Sequence, residues 1–308
     1  MTEPTSIEFI PGHPLSYATT RIGIFCNDIE ISRASGFTAK FGPDFYLVTN
    51  WHVASGRNPI TNKLSSQLAA IPDKIKFHVT VITEERVDDD RKSTTLYFKP
   101  LEFDLYKNET PTWLEMISGD HRIDVALFPL NSAVEELQQG GTRLAFIEAG
   151  EVTLKRGLTL EDSSTPFPGE GVSYFYPQVG SEVFVLGYPK GIELAGIFPI
   201  WKRASIASEP QATITSGGYV YEDLLYIDAL TKGGMSGSPV IAIAKEGELY
   251  VTDDGVAVSM VDGTAHLVGV YAGREGVTNE ELEFSIGRVW KTATIGSIVM
   301  HKKHAVVL

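Results

Sequence analysis

The chain holds one cysteine, Cys26, so no intrachain disulfide can staple it. That excludes the small secreted scaffolds that fold by cross-linking, and it makes a reducing, cytoplasmic compartment the expectation. Cys26 follows Gly23-Ile24-Phe25 and reads as a small buried hydrophobe in a strand. The N-terminus, Met1-Thr2-Glu3-Pro4-Thr5-Ser6, has neither the basic segment nor the apolar stretch of a secretory leader. No run approaches the roughly 18 apolar residues of a membrane span. Positive charge is scarce: 26 Lys and Arg stand against 39 Asp and Glu, a formal net charge of -13. Such a surface repels phosphate backbones, so nucleic acid is not an expected partner, and nothing points to a membrane. The short clusters Trp201-Lys202-Arg203 and His301-Lys302-Lys303-His304 read as a solvated strand end and a solvated tail. Asp88-Asp89-Asp90 lack the spaced oxygen ligands and turn glycine of a calcium loop, and His78 reads as a plain surface residue. No metal or organic cofactor is called for.

What the chain has is apolar residues, 43% of 308, ample for a core. They come in short runs broken by glycine and proline. After an extended, proline-bearing lead-in, strands are expected at Tyr17 to Phe25, Gly36 to Phe41 and Phe45 to Thr49, with Gly42-Pro43-Asp44 as a turn. Alternation from Ile75 to Val81, answered by Thr94 to Leu101, predicts a long hairpin. Short helical pieces are expected near Leu64 to Ala70, near Trp113 to Ile117 and over Asn131 to Gln139, the last stopped by Gly140-Gly141. Residues 142 to 178 read as a linker, broken at Thr165-Pro166-Phe167-Pro168-Gly169. A second series of short strands runs from Val183 to Tyr271, and Ile286 to Val299 reads as a helix or as a strand plus helix. Many short strands with Gly and Pro between them mean an all-β sandwich or barrel.

The chemistry gathers in Thr231-Lys232-Gly233-Gly234-Met235-Ser236-Gly237-Ser238-Pro239-Val240. Glycines there permit backbone conformations closed to other residues. They also let a substrate carbonyl approach the main chain, where the amides of Gly234 and Ser236 are placed to bind an oxyanion. Ser236 is the candidate nucleophile beside them. A serine hydroxyl needs a base and a group that orients the base. Leu47-Val48-Thr49-Asn50-Trp51-His52 ends an apolar run on a histidine, and Asp124 directly precedes Val125-Ala126-Leu127-Phe128. Asp120 is the rival acid. Each residue has a bland alternative: a serine in a hairpin turn, a histidine closing a buried strand, an aspartate in a turn.

The order His52, Asp124, Ser236 and its flanks resemble the chymotrypsin-like serine proteases, in particular the bacterial HtrA-like and glutamyl-endopeptidase-like trypsin-2 peptidases. The likeness extends to Ala34-Ser35-Gly36-Phe37, to Val179 through Pro189, to Asp228 eight residues before Ser236, and to His266 through Gly273. It implies a double β-barrel: residues 16-150 carrying His52 and Asp124, residues 170-290 carrying Ser236, and a C-terminal helix or tail over 291-308. It implies peptide hydrolysis through an acyl-enzyme, with His52 as base, Asp124 as its orienting acid and Gly234 and Ser236 as oxyanion donors. The pocket for the residue before the scissile bond would be floored by Leu230 and Thr231 and walled by Tyr271, Ala272 and Gly273. No carboxylate stands at that floor, which excludes lysine and arginine and favours small or medium apolar residues. Met235 replaces the aspartate that trypsins pair with a newly cut N-terminus, so zymogen cleavage is not expected. A regulatory protein partner that orders the oxyanion loop has room in this reading. The competing class is a catalytically silent, protease-like peptide-binding or scaffold protein, and the complete candidate triad argues against it.

Overall fold

The structure is a computed structural model. It describes residues 12–65, 70–86, 92–119, 121–149, 173–174, 177–216, 218–229, 231–244, 248–251, 257–259, 265–274 and 286–305. Asp88 to Asp90, Asp120, Leu230 and the break at 165–169 lie outside these residues. A one-turn helix α1 (Pro14–Ala18) precedes β1 (Thr19–Cys26), β2 (Ile29–Phe41) and β3 (Asp44–Thr49). Then come α2 (Trp51–Ser55), the long hairpin β4 (Lys74–Arg86) and β5 (Lys92–Asp104), β6 (Ala126–Pro129), α3 (Asn131–Gln139), β7 (Thr142–Leu144) and β8 (Ile147–Glu148). They form an eight-stranded sheet in the order β6-β3-β2-β1-β4-β7, with β5 added on β4 and β8 on β2. Asn27 and Asp28 both have positive φ, the turn that matches the twist of a tight hairpin between β1 and β2.

The second half is a closed barrel. Its strands are β9 (Glu182–Gly187), β10 (Ile200–Ile206), β11 (Leu224–Asp228), β12 (Pro239–Ile243), β13 (Ala265–Arg274) and β14 (Ile286–Lys291). The ring runs β9-β10-β11-β14-β13-β12 and returns to β9. Closure leaves no edge strand to aggregate. Gly269 fits it tightly: a Cβ there would lie 2.0 Å from the Trp290 carbonyl oxygen. Helix α4 (Ala293–His301) follows β14 directly, the strand-plus-helix alternative for this segment.

The all-β expectation stands, and several local expectations do not. Residues 14–18 are helical, because Pro14 opens the turn and His13 Nδ1 accepts the Leu15 N–H at 3.2 Å. Trp113 to Ile117 is extended: Leu114 exchanges main-chain bonds with Leu127, and Ile117–Ser118 pairs with His121–Arg122. Leu64 is in an isolated bridge with Arg57, and residues 66–69 lie outside the described set. Cys26 is half-buried, since it ends β1 beside the hairpin turn. One apolar cluster joins both halves, with Phe37, Val48 and Leu127 packed with Leu186, Ile241 and Trp290. No helix among the described residues is long and apolar enough to cross a membrane.

Candidate active site

Strand register brings His52 and Asp124 together. β6 runs antiparallel to β3 with Ala126 opposite Thr49, so the residue two before Ala126 meets the residues just after the strand. There α2 begins. The first N–H groups of a helix have no intrahelical partner, and the His52 N–H finds one in Asp124 Oδ1 at 2.9 Å. The other oxygen, Oδ2, lies 2.8 Å from His52 Nδ1. Asn50 Nδ2 donates to the Asp124 carbonyl at 2.7 Å and fixes the segment from behind. Asp124 is 3% exposed. A carboxylate only accepts hydrogen bonds, so this contact suits an imidazole protonated on Nδ1, with the Nε2 lone pair free. Gly56 ends α2 in the left-handed region, its N–H bonded to the His52 carbonyl at 3.0 Å.

Under this pair lies a buried charged cluster that the sequence reading missed. Trp51 Nε1 donates to Glu115 Oε2, Arg122 Nη2 stands 3.5 Å from Glu115 Oε1, and the guanidinium sits 4.4 Å over the Trp51 ring. Trp51 and Arg122 flank the two site residues in the chain, which is the only signal the sequence offered.

Ser236 is held by main-chain bonds on both sides. Its carbonyl accepts the Ser35 N–H at 2.8 Å, and the Gly237 N–H donates to the Tyr271 carbonyl at 2.9 Å. Gly237 has φ +85, and a Cβ on it would lie 2.1 Å from the Ser35 carbonyl oxygen. Just before, Lys232 to Met235 form a turn closed by Met235 N–H to Lys232 O at 3.4 Å. Gly234 has φ +94 and Gly233 does not have positive φ, the type II pattern. The Gly233 carbonyl accepts the Lys190 N–H at 2.6 Å. In a trans peptide the C=O and the next N–H point in opposite directions, so the Gly234 N–H points away from Lys190. Ser35 Oγ donates to the Gly234 carbonyl at 2.7 Å and accepts the Tyr188 N–H at 3.0 Å. A Cβ on Gly234 would meet the Tyr188 carbonyl oxygen at 2.5 Å. Met235 is buried in the barrel core at 1% exposure and places no charge there. Ser35 and Lys190 as clamps were not visible in the sequence.

His52, Gly234 and Ser236 line one cleft of about 510 Å³. To one side, the Tyr271 hydroxyl is bonded to Thr231 Oγ1, and both residues are buried. Burial pushes the Tyr271 phenol above its ordinary pKa, and the Thr231 bond and the charges of Arg274 and Arg288 oppose the rise. Ala272 is buried and Gly273 has φ +99.

A closed six-stranded barrel packed on a second β-sheet, with such a cleft, is a chymotrypsin-like architecture. The chain belongs to the trypsin-like peptidase domain family, which matches residues 34–250. No curated protein sequence matches it. Among solved structures it is similar to the Rv3671c protease from M. tuberculosis in its active form, at 13% identity and TM-score 0.42, covering 96% of this chain and 84% of that one. It is similar to the serine endoprotease from Yersinia pestis at 14% identity and TM-score 0.40, covering 96% and 67%. A third is an inactivated scabies mite protease paralogue, at 12% identity and TM-score 0.43, covering 94% and 95%.

Proposed function

We propose that this protein is a serine endopeptidase that works through His52, Asp124 and Ser236 without N-terminal zymogen cleavage. The observation that carries the reading is the double grip of the buried Asp124 carboxylate on His52, by Nδ1 and by the main-chain N–H, with Ser236 lining the same cleft. His52 Nε2 takes the Ser236 proton as the hydroxyl attacks a peptide carbonyl, then delivers it to the leaving amine. Asp124 keeps the tautomer and stabilises the imidazolium. The Gly234 and Ser236 amides receive the oxyanion, and the turn that aims Gly234 is held by Lys190 and Ser35 rather than by an ion pair to a cut N-terminus. Residues 16-150, with the eight-stranded sheet, and residues 170-290, with the closed barrel, act as the two domains that meet at the cleft. The acyl-side pocket, made by Leu230, Thr231, Tyr271, Ala272 and Gly273, takes small or medium apolar residues. With one cysteine, a reducing compartment suits the chain.

A fluorophosphonate probe tests this reading. Intact full-length protein is expected to take the label, and Ser236→Ala is expected to lose it. Labelling of a truncated form alone would overturn the activation-free mechanism. Absence of labelling in any form would favour a silent peptide-binding protein.

A further inference from the structure

We propose that substrate selection by this site rests on the leaving-group side of the scissile bond, where a bulky apolar residue in the first or second position seats between Ile24, Ile31, Val53 and Pro72. The inference depends on the protease reading above. On the acyl side, the Tyr271 side chain itself takes up room: its hydroxyl is bonded to Thr231, and its ring lies so close to Gly287 that a Cβ there would be 2.5 Å from Cε2. With Tyr271 itself buried there at 1% exposure, a small or medium side chain is the expected fit against it. A peptide whose acyl side faces Thr231 and Tyr271 continues, past Ser236, into the cleft lined by Ile24, Ile31, Val53, Ala70 and Pro72. Gly56 shapes its wall: at φ +68 it needs no side chain, and a Cβ would lie 2.4 Å from Pro72 Cδ.

The main chain offers a matching edge. β2 pairs with β1 from Ile29 to Phe37 and with β3 only from Phe37 onward. On the side away from β1, residues 29–34 therefore pair with no strand among the described residues. Ser35 shows which groups face that side: its N–H donates to the Ser236 carbonyl at 2.8 Å, and its C=O accepts from Thr49 Oγ1 at 2.9 Å. Alternation along the strand points the N–H and C=O of Arg33 the same way. An extended peptide leaving Ser236 adds there as a strand, and every second side chain turns into the cleft.

Charge on this wall is already paired. Arg33 Nε lies 2.6 Å from Glu30 Oε1, Arg21 Nη1 lies 3.6 Å from the same oxygen, and Arg21 Nε is bonded to Glu193. Among the described residues lining the cleft, Arg33 is the one Lys, Arg, Asp or Glu, and it already has Glu30 as its partner. Ile31 at 37% and Ile71 at 44% stay exposed beside the cleft, apolar area that a substrate side chain would cover.

Internally quenched peptides with alanine before the scissile bond and varied residues in the two positions after it test the inference. kcat/KM is expected to favour Leu, Ile or Phe over Gly, Asp and Lys by about tenfold or more. Ile31→Asp, at a position already open to solvent, is expected to remove that preference. The same cleft is read by acyl transfer: an alanyl acyl-enzyme should be intercepted better by leucinamide or phenylalaninamide than by glycinamide. A flat profile, equal acceptor efficiency, or a preference unchanged in Ile31→Asp overturns the proposal. Fluorophosphonate labelling separates the two claims, because the probe's small leaving group makes no use of the cleft. Labelling with a flat profile sinks the selection alone, and loss of labelling sinks the protease reading.

Discussion

The N-terminal half gives the candidate site side chains, and the C-terminal half gives it mostly main chain. In the first half the candidate groups are the His52 imidazole and the Asp124 carboxylate, fixed by three hydrogen bonds of 2.7 to 2.9 Å. In the second, one hydroxyl stands beside a glycine turn whose carbonyls are held by bonds from Lys190 and Ser35. Replacing a side chain harms the first by removing a functional group. Adding a side chain harms the second by pushing the backbone out of place.

The largest expected effect tests the side-chain half. His52→Ala should lower kcat by about 10⁶, because base and nucleophile act as a unit. Asp124→Asn should lower it by about 10⁴ by permitting the wrong tautomer. Peptide hydrolysis under saturating substrate measures both, and a fully active Asp124→Asn would remove Asp124 from the role.

Gly234→Ala is the corresponding break in the main-chain half. Its Cβ would meet the Tyr188 carbonyl oxygen at 2.5 Å and demand φ +94 of a residue with a side chain. The turn should flip its peptide and lose one oxyanion donor, a drop of about 10²–10³ in kcat, with far-UV circular dichroism unchanged. A variant with wild-type kcat would mean that the Gly234 N–H is not used.

Gly269→Ala extends the contrast from activity to stability. The closed ring leaves that Cβ 2.0 Å from the Trp290 carbonyl oxygen, and overpacking of this kind costs about 1–3 kcal/mol. Urea midpoints measure it, and an unshifted midpoint would show that the ring yields.

The smallest effect belongs to Asp44. The Asn131 amide, bonded at 2.7 Å, holds its carboxyl below the ordinary value, and Lys302 at 3.3 Å adds to this. A lowered folded pKa contributes stability above the unfolded value of 3.8, lost as pH falls through the folded one. Asp44→Ala should therefore cost under about 1 kcal/mol at pH 7, and the difference from wild type should shrink in acid. A difference that grew on acidification would reverse the sign of this linkage.

Elements with a strong local pattern were legible. The hairpin β4–β5 and helix α3 follow from alternation and from Gly140-Gly141, and the ordered flanks of His52, Asp124 and Ser236 point to one chemistry. Trp113 to Ile117 was misread because the Leu114 bonds to Leu127 outweigh a weak helical pattern. Residues 14–18 were misread because Pro14 suits both an extended lead-in and the first turn of a helix.

By itself the sequence determined the all-β class, the family and the candidate nucleophile, base and acid, because each is written in residue types within a few positions of one another. Tertiary structure alone decided which groups hold the Gly233 and Gly234 carbonyls and which residues line the cleft at Ser236. The orienting contacts join residues far apart in the chain, as Ser35 joins Gly234 across 199 positions. No local pattern encodes a bond between residues that only the packing of two sheets brings within reach.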